Sequence, residues 1–315
     1  MTEKFDGSVF RKGDAGYEAA RRGHMWNARV PARLPQVVIQ AGSERDVVAA
    51  VRMARSERLR IAIRSGGHSW AGNFLRDDGM LLDLGRLQEW SINIAARTAW
   101  VRPGVIGTDL NRALKAHGLF FPTGHCSSVG LGGFLLQGGF GWNSRLWGPA
   151  CASVTAIDVV TADGELLRAD ANQNSELYWA ARGAGPGFFG AVTRFHLALW
   201  PRPKVMMNSS YLYPIDVIDE VYTWAAEIRP RLPRNMEPLV FMRRDLFGHP
   251  GPGLLVTGPT LADNREEALA ALALLETCPV LDRALMREVN LDTELDELLA
   301  GGEETFYWKN RRYAA

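Results

Sequence analysis

Three short stretches carry side chains able to do chemistry. Arg64 to Ser69, RSGGHS, puts a histidine inside a glycine turn directly after a strand-like run. Its glycines let backbone N–H groups turn inward as an anion nest. Ser65 and Ser69 add hydroxyls and Arg64 adds charge, so a diphosphate is a natural occupant. A plain tight turn is the competing reading. His68 has four roles open to it: base, metal ligand, phosphate contact or attachment point.

The second stretch, TGHCSSVGLGGFLLQGGFGWNSRLWG, runs from Thr123 to Gly148. It is glycine-dense, and Arg145 is its one charged residue. Glycines permit close backbone approach, so a chain packed against a large planar ligand would read this way. A set of buried tight turns is the alternative. Cys126 lies here beside His125, and a nearby His125 or His68 would lower a thiol pKa and make a nucleophile. A Cys–His protease also needs an orienting group and an oxyanion hole, and the sequence points to neither. The third stretch, GPGFFG, has glycines at 185, 187 and 190 in dinucleotide-fingerprint spacing. That fingerprint needs a strand before it and a helix after it. Here a helical run precedes and an alternating run follows, so a nicotinamide site is rejected.

The elements that must position these residues follow from periodicity. Val37 to Ile39 is a short apolar run, and Ser43 caps a helix with Val47, Val48, Val51 and Ala54 at helical spacing. LRIAIR alternates as a strand and delivers the RSGGHS turn. GMLLDLG is a further strand, and two alternating runs around Ala95–Ala96–Arg97 predict a hairpin. TDLNRALKAHG is a helix stopped by Gly118. VTAIDVVTADGELLRA is a hairpin turning at Asp163–Gly164. SELYWAARGAG is a helix and AVTRFHLALW a strand. After PRP at 201–203 the pattern changes to strand, helix (VIDEVYTWAAEIRPRL), two strands and a helix (NREEALAALALLE).

The totals exclude several classes. The 315 residues allow two domains, and a net charge of +1 gives no footprint for nucleic acid or an acidic membrane. No apolar run is long enough to span a bilayer, and the N-terminus lacks a signal-peptide core, so a cytoplasmic location is expected. Cys126, Cys151 and Cys278 form no CxxC pair, which argues against structural zinc and against a disulfide framework. No metal site is expected.

Taken in order, RSGGHS, TGHCSSVGLGG, GGFG, WG, VVTADGELL and SELYWAARGAGPGFFGAVT resemble the vanillyl-alcohol-oxidase/p-cresol-methylhydroxylase flavoproteins, in their berberine-bridge-enzyme-like branch. The resemblance runs from about Gly16 to Pro203. It implies an α+β chain, with a PCMH-type FAD-binding domain over 1–203 (two α/β subdomains, about 1–104 and 105–203). A partial cap or substrate domain over 204–315 matches only in general character. The resemblance implies that Arg64, Ser65, Gly66, Gly67, His68 and Ser69 wrap the diphosphate of FAD. It implies covalent bonds from His68 to the flavin 8α-methyl and from Cys126 to C6, a double link that in this family raises the flavin potential. Thr123, Gly124, Val129, Gly130 and Gly133 would line the flavin. Gly138, Gly139, Gly141, Trp147 and Gly148 would follow the cofactor. Val154, Gly190 and Val192 would meet its adenosine part. Neutral imidazole and an accessible thiol are the side chains nucleophilic enough for such bonds near neutral pH.

The implied activity is oxidation of an alcohol or amine C–H in a small molecule or sugar, by hydride transfer to flavin N5 and reoxidation by dioxygen. The alternatives are a dehydrogenase with another acceptor, a flavin-binding but catalytically incomplete protein, and a thiol enzyme built on Cys126. Trp70 matches an active-site aromatic of the family, with a core tryptophan as the competing reading. Tyr307 and Tyr313 are the candidate bases. The family's chains continue past the point where RRYAA stops, so a truncated product or fragment is expected.

Overall fold

The computed structural model describes residues 4–27 and 29–294. These divide into two compact units, one of residues 4–141 and 149–201, the other of 142–148 and 202–294. Each contains both helices and sheets, the α+β class expected.

The first unit opens on a four-stranded sheet. Its strands are β1 (Ser8–Arg11), β2 (Val37–Gln40), β3 (Ile61–Arg64) and β4 (Met80–Asp83), in the order β1-β2-β4-β3. β2, β4 and β3 run parallel, and β1 joins antiparallel. Val37 to Ile39 and Met80 to Leu82 are buried, as expected of parallel strands covered on both faces. Helix α1 (Tyr17–Arg22) follows β1, and α2 (Glu44–Ser56) crosses from β2 to β3. Ser43 caps α2 by accepting from the Asp46 N–H at 3.2 Å. The Asp46 carboxylate accepts N–H bonds from Asp6, Gly7 and Gly42, each 2.8 Å, and so ties the entering chain to the helix start. Val47, Ala50, Val51 and Ala54 form the inward stripe of α2, while Val48 is only half-buried.

A second sheet in this unit is antiparallel, ordered β5-β6-β10-β8-β9. Its strands are β5 (Trp90–Asn93), β6 (Thr98–Val101), β8 (Val154–Val160), β9 (Leu166–Asp170) and β10 (Ala191–Ala198). The two expected hairpins are present, with Arg97 at φ 50° in one turn and Gly164 at φ 74° in the other. Helix α3 (Gly107–Lys115) ends before Gly118 at φ 64°. β7 (Leu119–Phe120) pairs with β11 (Trp200–Pro201). Helix α4 (Leu131–Leu136) lies inside the glycine-dense stretch, and α6 (Ser175–Ala180) precedes β10.

Two contacts position the turn after β3. Arg64, at the end of that strand, is fully buried and its guanidinium meets the Asp83 carboxylate at 2.7 Å. The same group donates to the carbonyls of Ala20 and Arg21, both at 2.8 Å, and so closes the end of α1. Beyond it, a Cβ on Gly66 would stand 2.6 Å from the Gly130 N, and a Cβ on Gly130 would stand 2.7 Å from the Gly66 Cα. The two backbones cross where neither residue has room for a side chain. Gly67 is left-handed at φ 71°, and its missing Cβ would fall 1.6 Å from the His24 carbonyl oxygen.

The second unit is built on a central strand, β12 (Val205–Pro214). It pairs with β14 (His249–Thr257), β15 (Thr260–Ala262) and β16 (Met286–Asp292), and β13 (Leu239–Leu246) pairs with β14. Helices α7 (Ile218–Ile228) and α8 (Arg265–Leu272) bury Val221, Trp224, Ile228, Ala268 and Leu272 with Tyr211 and Tyr213. The expected α7 extends to Leu232, but a 3₁₀ turn at Arg229–Arg231 replaces its end, because Pro230 lacks the N–H that the α-helical ladder needs. The segment 142–148, with the short helix α5 (Ser144–Trp147), also packs into this unit. Its Arg145 donates to the carbonyls of Leu232, Pro233 and Met236 at 3.2, 2.9 and 2.6 Å, and the Asn143 N–H donates to Glu237.

Two predictions follow from the first unit. Alanine at Gly67 adds left-handed strain of about 1–2 kcal/mol and a clash with backbone, whereas a Cβ at Gly133 meets nothing within 4 Å. Urea unfolding should place Gly67→Ala well below wild type and leave Gly133→Ala at or above it; equal midpoints would contradict the crossing. On the second sheet, Asp158 accepts from His196 Nε2 at 3.3 Å and pairs with Arg194 at 3.3 Å. Burial raises its pKa, but His196, Arg194 and Arg168 together outweigh this and hold the carboxyl below its ordinary range. Such a group adds stability above its unfolded pKa and loses it as pH falls through the folded one. The wild type should therefore lose an increment of about 1–2 kcal/mol below about pH 5, and Asp158→Asn should lack that increment at pH 7.

Candidate functional site

A cleft of about 540 Å³ opens in the first unit, within the range of small-molecule and cofactor sites. Three segments line it: the turn after β3 from Ser65 to Ala71, the entry of α4 from Val129 to Gly133, and the loop from Gly185 to Gly190 with Val192. They are far apart in sequence. The glycine crossing joins the first two, and the Gly133 N–H donates to Ser65 Oγ at 3.2 Å.

Residues 24–27 brace the turn from the other side. The Trp26 N–H donates to the Gly67 carbonyl at 3.2 Å, and Asn27 Nδ2 donates to the Trp70 carbonyl at 2.8 Å. His68 projects from this braced turn. Its ring stacks on Trp26 with centroids 5.0 Å apart and planes 24° apart, and its Nε2 lies 2.9 Å from Ser128 Oγ. The Trp70 ring tilts against Trp26 at 5.5 Å, borders the cleft and is 52% exposed, which sets aside the core reading of this tryptophan. Ser69 accepts from the Asn73 N–H at 3.3 Å, a local turn contact.

Among the residues expected at a cofactor, Ser65, Gly66, Gly67, His68, Ser69, Val129, Gly130, Gly133, Gly190 and Val192 border the cleft. Arg64 borders the cleft too, but its guanidinium is sealed against Asp83 and two carbonyls, so its charge is spent inside the fold. Val154 is buried in the apolar core with Val101, Ile157 and Phe195, because it starts a strand whose inward face fills that core.

Cys126 is half-buried, and its carbonyl accepts from the Val129 N–H at 3.3 Å, a turn that carries Ser128 to His68. Thr123 is buried, with Oγ1 accepting from Asn111 Nδ2 at 2.9 Å. Gly124 packs against the Val129 side chain, and Gly141 passes so close to the Thr123 carbonyl that a Cβ would stand 2.2 Å from it. Gly138 and Gly139 are both left-handed, and their carbonyls accept from Cys151 and Ala150 at 2.8 Å. Trp147 and Gly148 belong to the segment packed into the second unit. Tyr307 and Tyr313 lie outside the described residues.

The sequence reading missed Trp26 and Ser128, side chains that touch His68. Arg76, Gln137 and Phe188 also border the cleft unannounced. Gly185 to Gly187 form a 3₁₀ turn between α6 and β10, the inverted context that excludes a dinucleotide fingerprint. Among the described residues no cluster of three or more His, Cys, Asp or Glu is arranged for a metal ion, and no helix is long and apolar enough to cross a membrane.

Comparison with known proteins adds to this geometry. The family profile of the FAD binding domain matches residues 35–170. An FAD-linked oxidoreductase of Penicillium crustosum is 38% identical over 262 residues, covering 83% of this chain and 56% of that one. (R)-6-hydroxynicotine oxidase of Paenarthrobacter nicotinovorans is 34% identical over 201 residues, covering 64% of this chain and 43% of that one. The chain thus spans about half the length of the curated relatives it matches. The crystal structure of 6-hydroxy-D-nicotine oxidase from Arthrobacter nicotinovorans superposes with a TM-score of 0.85 at 28% identity, over 97% of this chain and 66% of that one. Physcomitrella patens BBE-like 1 shares the fold, with a TM-score of 0.79 at 24% identity over 93% of this chain and 65% of that one. With its flavoprotein motifs and its FAD-binding domain, the chain belongs to the FAD-linked oxidoreductases.

Proposed function

We propose that this chain is the FAD-binding part and a portion of the substrate part of an oxidase, with residues 1–203 serving the cofactor and 204–315 the substrate. FAD is held covalently through His68 and Cys126. The observation that carries this reading is the cleft with His68 fixed at its rim in a cradle of glycine backbone. The residues present fit the group. Gly133 borders the cleft with open space where a Cβ would stand, so a flat ligand can lie against backbone there. With Arg64 sealed away, the phosphates are received by backbone N–H groups of the Ser65–Ser69 turn, and Arg76 is the cation at the border. Thr123, Gly124, Val129 and Gly130 line the ring system, Gly138, Gly139 and Gly141 follow the cofactor, and Gly190 and Val192 meet the adenosine part.

Bound FAD supplies hydride acceptance from a C–H next to an alcohol or amine, with dioxygen as the final acceptor. Trp70 contributes an exposed aromatic wall against which a small-molecule or sugar substrate packs. His68 is spent on attachment and is therefore not the base.

An absorbance spectrum of denatured protein freed of unbound cofactor tests this. Wild type, His68→Ala and Cys126→Ser should each stay yellow, and the double variant should release all its flavin. Colourless denatured wild type would contradict the covalent reading, and loss of colour in Cys126→Ser alone would remove His68 as an attachment point. Hydrogen peroxide appearing with substrate turnover marks the oxidase; turnover only with an added dye marks a dehydrogenase.

A further inference from the structure

We propose that Gln137 recognises the adenine of FAD and so sets the base preference of the cofactor site, an inference that rests on the FAD reading above. Three positions along one segment carry it. Ser128 Oγ lies 2.9 Å from His68 Nε2, at the flavin end. The Gly133 N–H donates to Ser65 Oγ at 3.2 Å, beside the turn that receives the diphosphate. Gln137 follows one helical turn later, and its N–H donates to the Gly133 carbonyl at 3.2 Å. Residues four apart share a helix face, so Gln137 continues the face that Gly133 presents to the cleft, about 6 Å further on. Flavin, diphosphate and adenosine follow one another in FAD in that same order.

The facing wall agrees. The Gln137 stem lies across Gly185, which is left-handed at φ 55°, and a Cβ there would stand 2.8 Å from Gln137 Cγ. Gly185 opens the loop that leads to Gly190 and Val192, the residues proposed for the adenosine part. Gln137 borders the cleft together with Phe188 and is exposed there, and among the described residues no hydrogen bond engages its carboxamide. The chemistry then selects the base among the parts of the cofactor. A carboxamide offers an acceptor oxygen and an amino donor side by side. A diphosphate only accepts, which leaves the oxygen unused. Adenine presents its N6 amino donor next to the N7 acceptor, the pair that a glutamine meets with two hydrogen bonds. Phe188 adds apolar surface at the same border. Gln137 therefore acts on cofactor affinity and touches neither the flavin ring nor the substrate.

The test uses the full chain in a His68→Ala, Cys126→Ser background, so that binding is reversible and the covalent question stays outside it. Dissociation constants are read by titrating the flavin-free chain and following flavin fluorescence. Two ligands are compared: FAD, and its analogue with hypoxanthine in place of adenine, where a carbonyl oxygen replaces the N6 amino group. The parent should bind FAD about tenfold more tightly than the analogue. Gln137→Met keeps the stem over Gly185 and loses the amide; it should weaken FAD about tenfold and bind the two ligands alike. Gln137→Ala should do the same, and should it fail to fold, Gln137→Met carries the decision. Parent affinity for FAD in Gln137→Met would overturn the proposal, as would a parent that binds both ligands alike or an adenine preference that survives the substitution. A parent that binds neither ligand would overturn the FAD reading itself, and the proposal with it.

Discussion

Two backbones cross at Gly66 and Gly130 with no room for a Cβ on either, and the cofactor site depends on that crossing. It brings the turn after β3 against the start of α4, so that two segments remote in sequence form one wall. A side chain at either position would force the two segments of the wall apart, and Ser65 would then lose its bond from the Gly133 N–H. The need is for proximity rather than flexibility: Gly66 and Gly130 both keep negative φ, and only Gly67 among the three requires the left-handed region.

Below the crossing, the fold commits a charge to holding the turn. Arg64 and Asp83 face each other in parallel register at the ends of β3 and β4, both inaccessible to solvent. Burying such a pair costs desolvation, and it is tolerated because the guanidinium also meets the Ala20 and Arg21 carbonyls while Asp83 accepts from the Gly85 N–H at 3.0 Å. Losing either partner leaves a buried charge alone, at a cost of about 3–5 kcal/mol. The consequence reaches the site. This arginine is not free to meet an anion in the cleft, whose rim is set by a rigid ion pair one residue away.

Much of this was legible in the residues. Strand period, the Ser43 cap, the Asp163–Gly164 turn and the glycine stops follow from local chemistry, and local chemistry is what a sequence displays. The turn holding His68 and the glycine stretch facing it were also visible, because glycine signals close approach whatever approaches. What the sequence hid was identity across distance. Trp26 and Ser128 reach His68 from 42 and 60 positions away, and neither residue type announces such a contact. Arg64 looked like a phosphate ligand because its partner Asp83 lies in a strand whose register only the sheet defines. Helix α4 sits in a stretch whose glycines oppose helix formation, and packing of Leu131 and Leu135 into the core overrides that preference. Strand β16 leaves Val289 and Leu291 exposed and half-buries Asn290, so its pairing with β12 left no mark in the pattern.

The central claim is that His68 and the segment carrying Cys126 converge on one flavin, and peptide mapping by mass spectrometry tests it most directly. Trypsin releases His68 in the peptide from Ser65 to Arg76 and Cys126 in the peptide from Ala116 to Arg145. The account predicts a single yellow species in which one FAD joins these two peptides. Flavin recovered free of peptide, or attached to any other part of the chain, would contradict it.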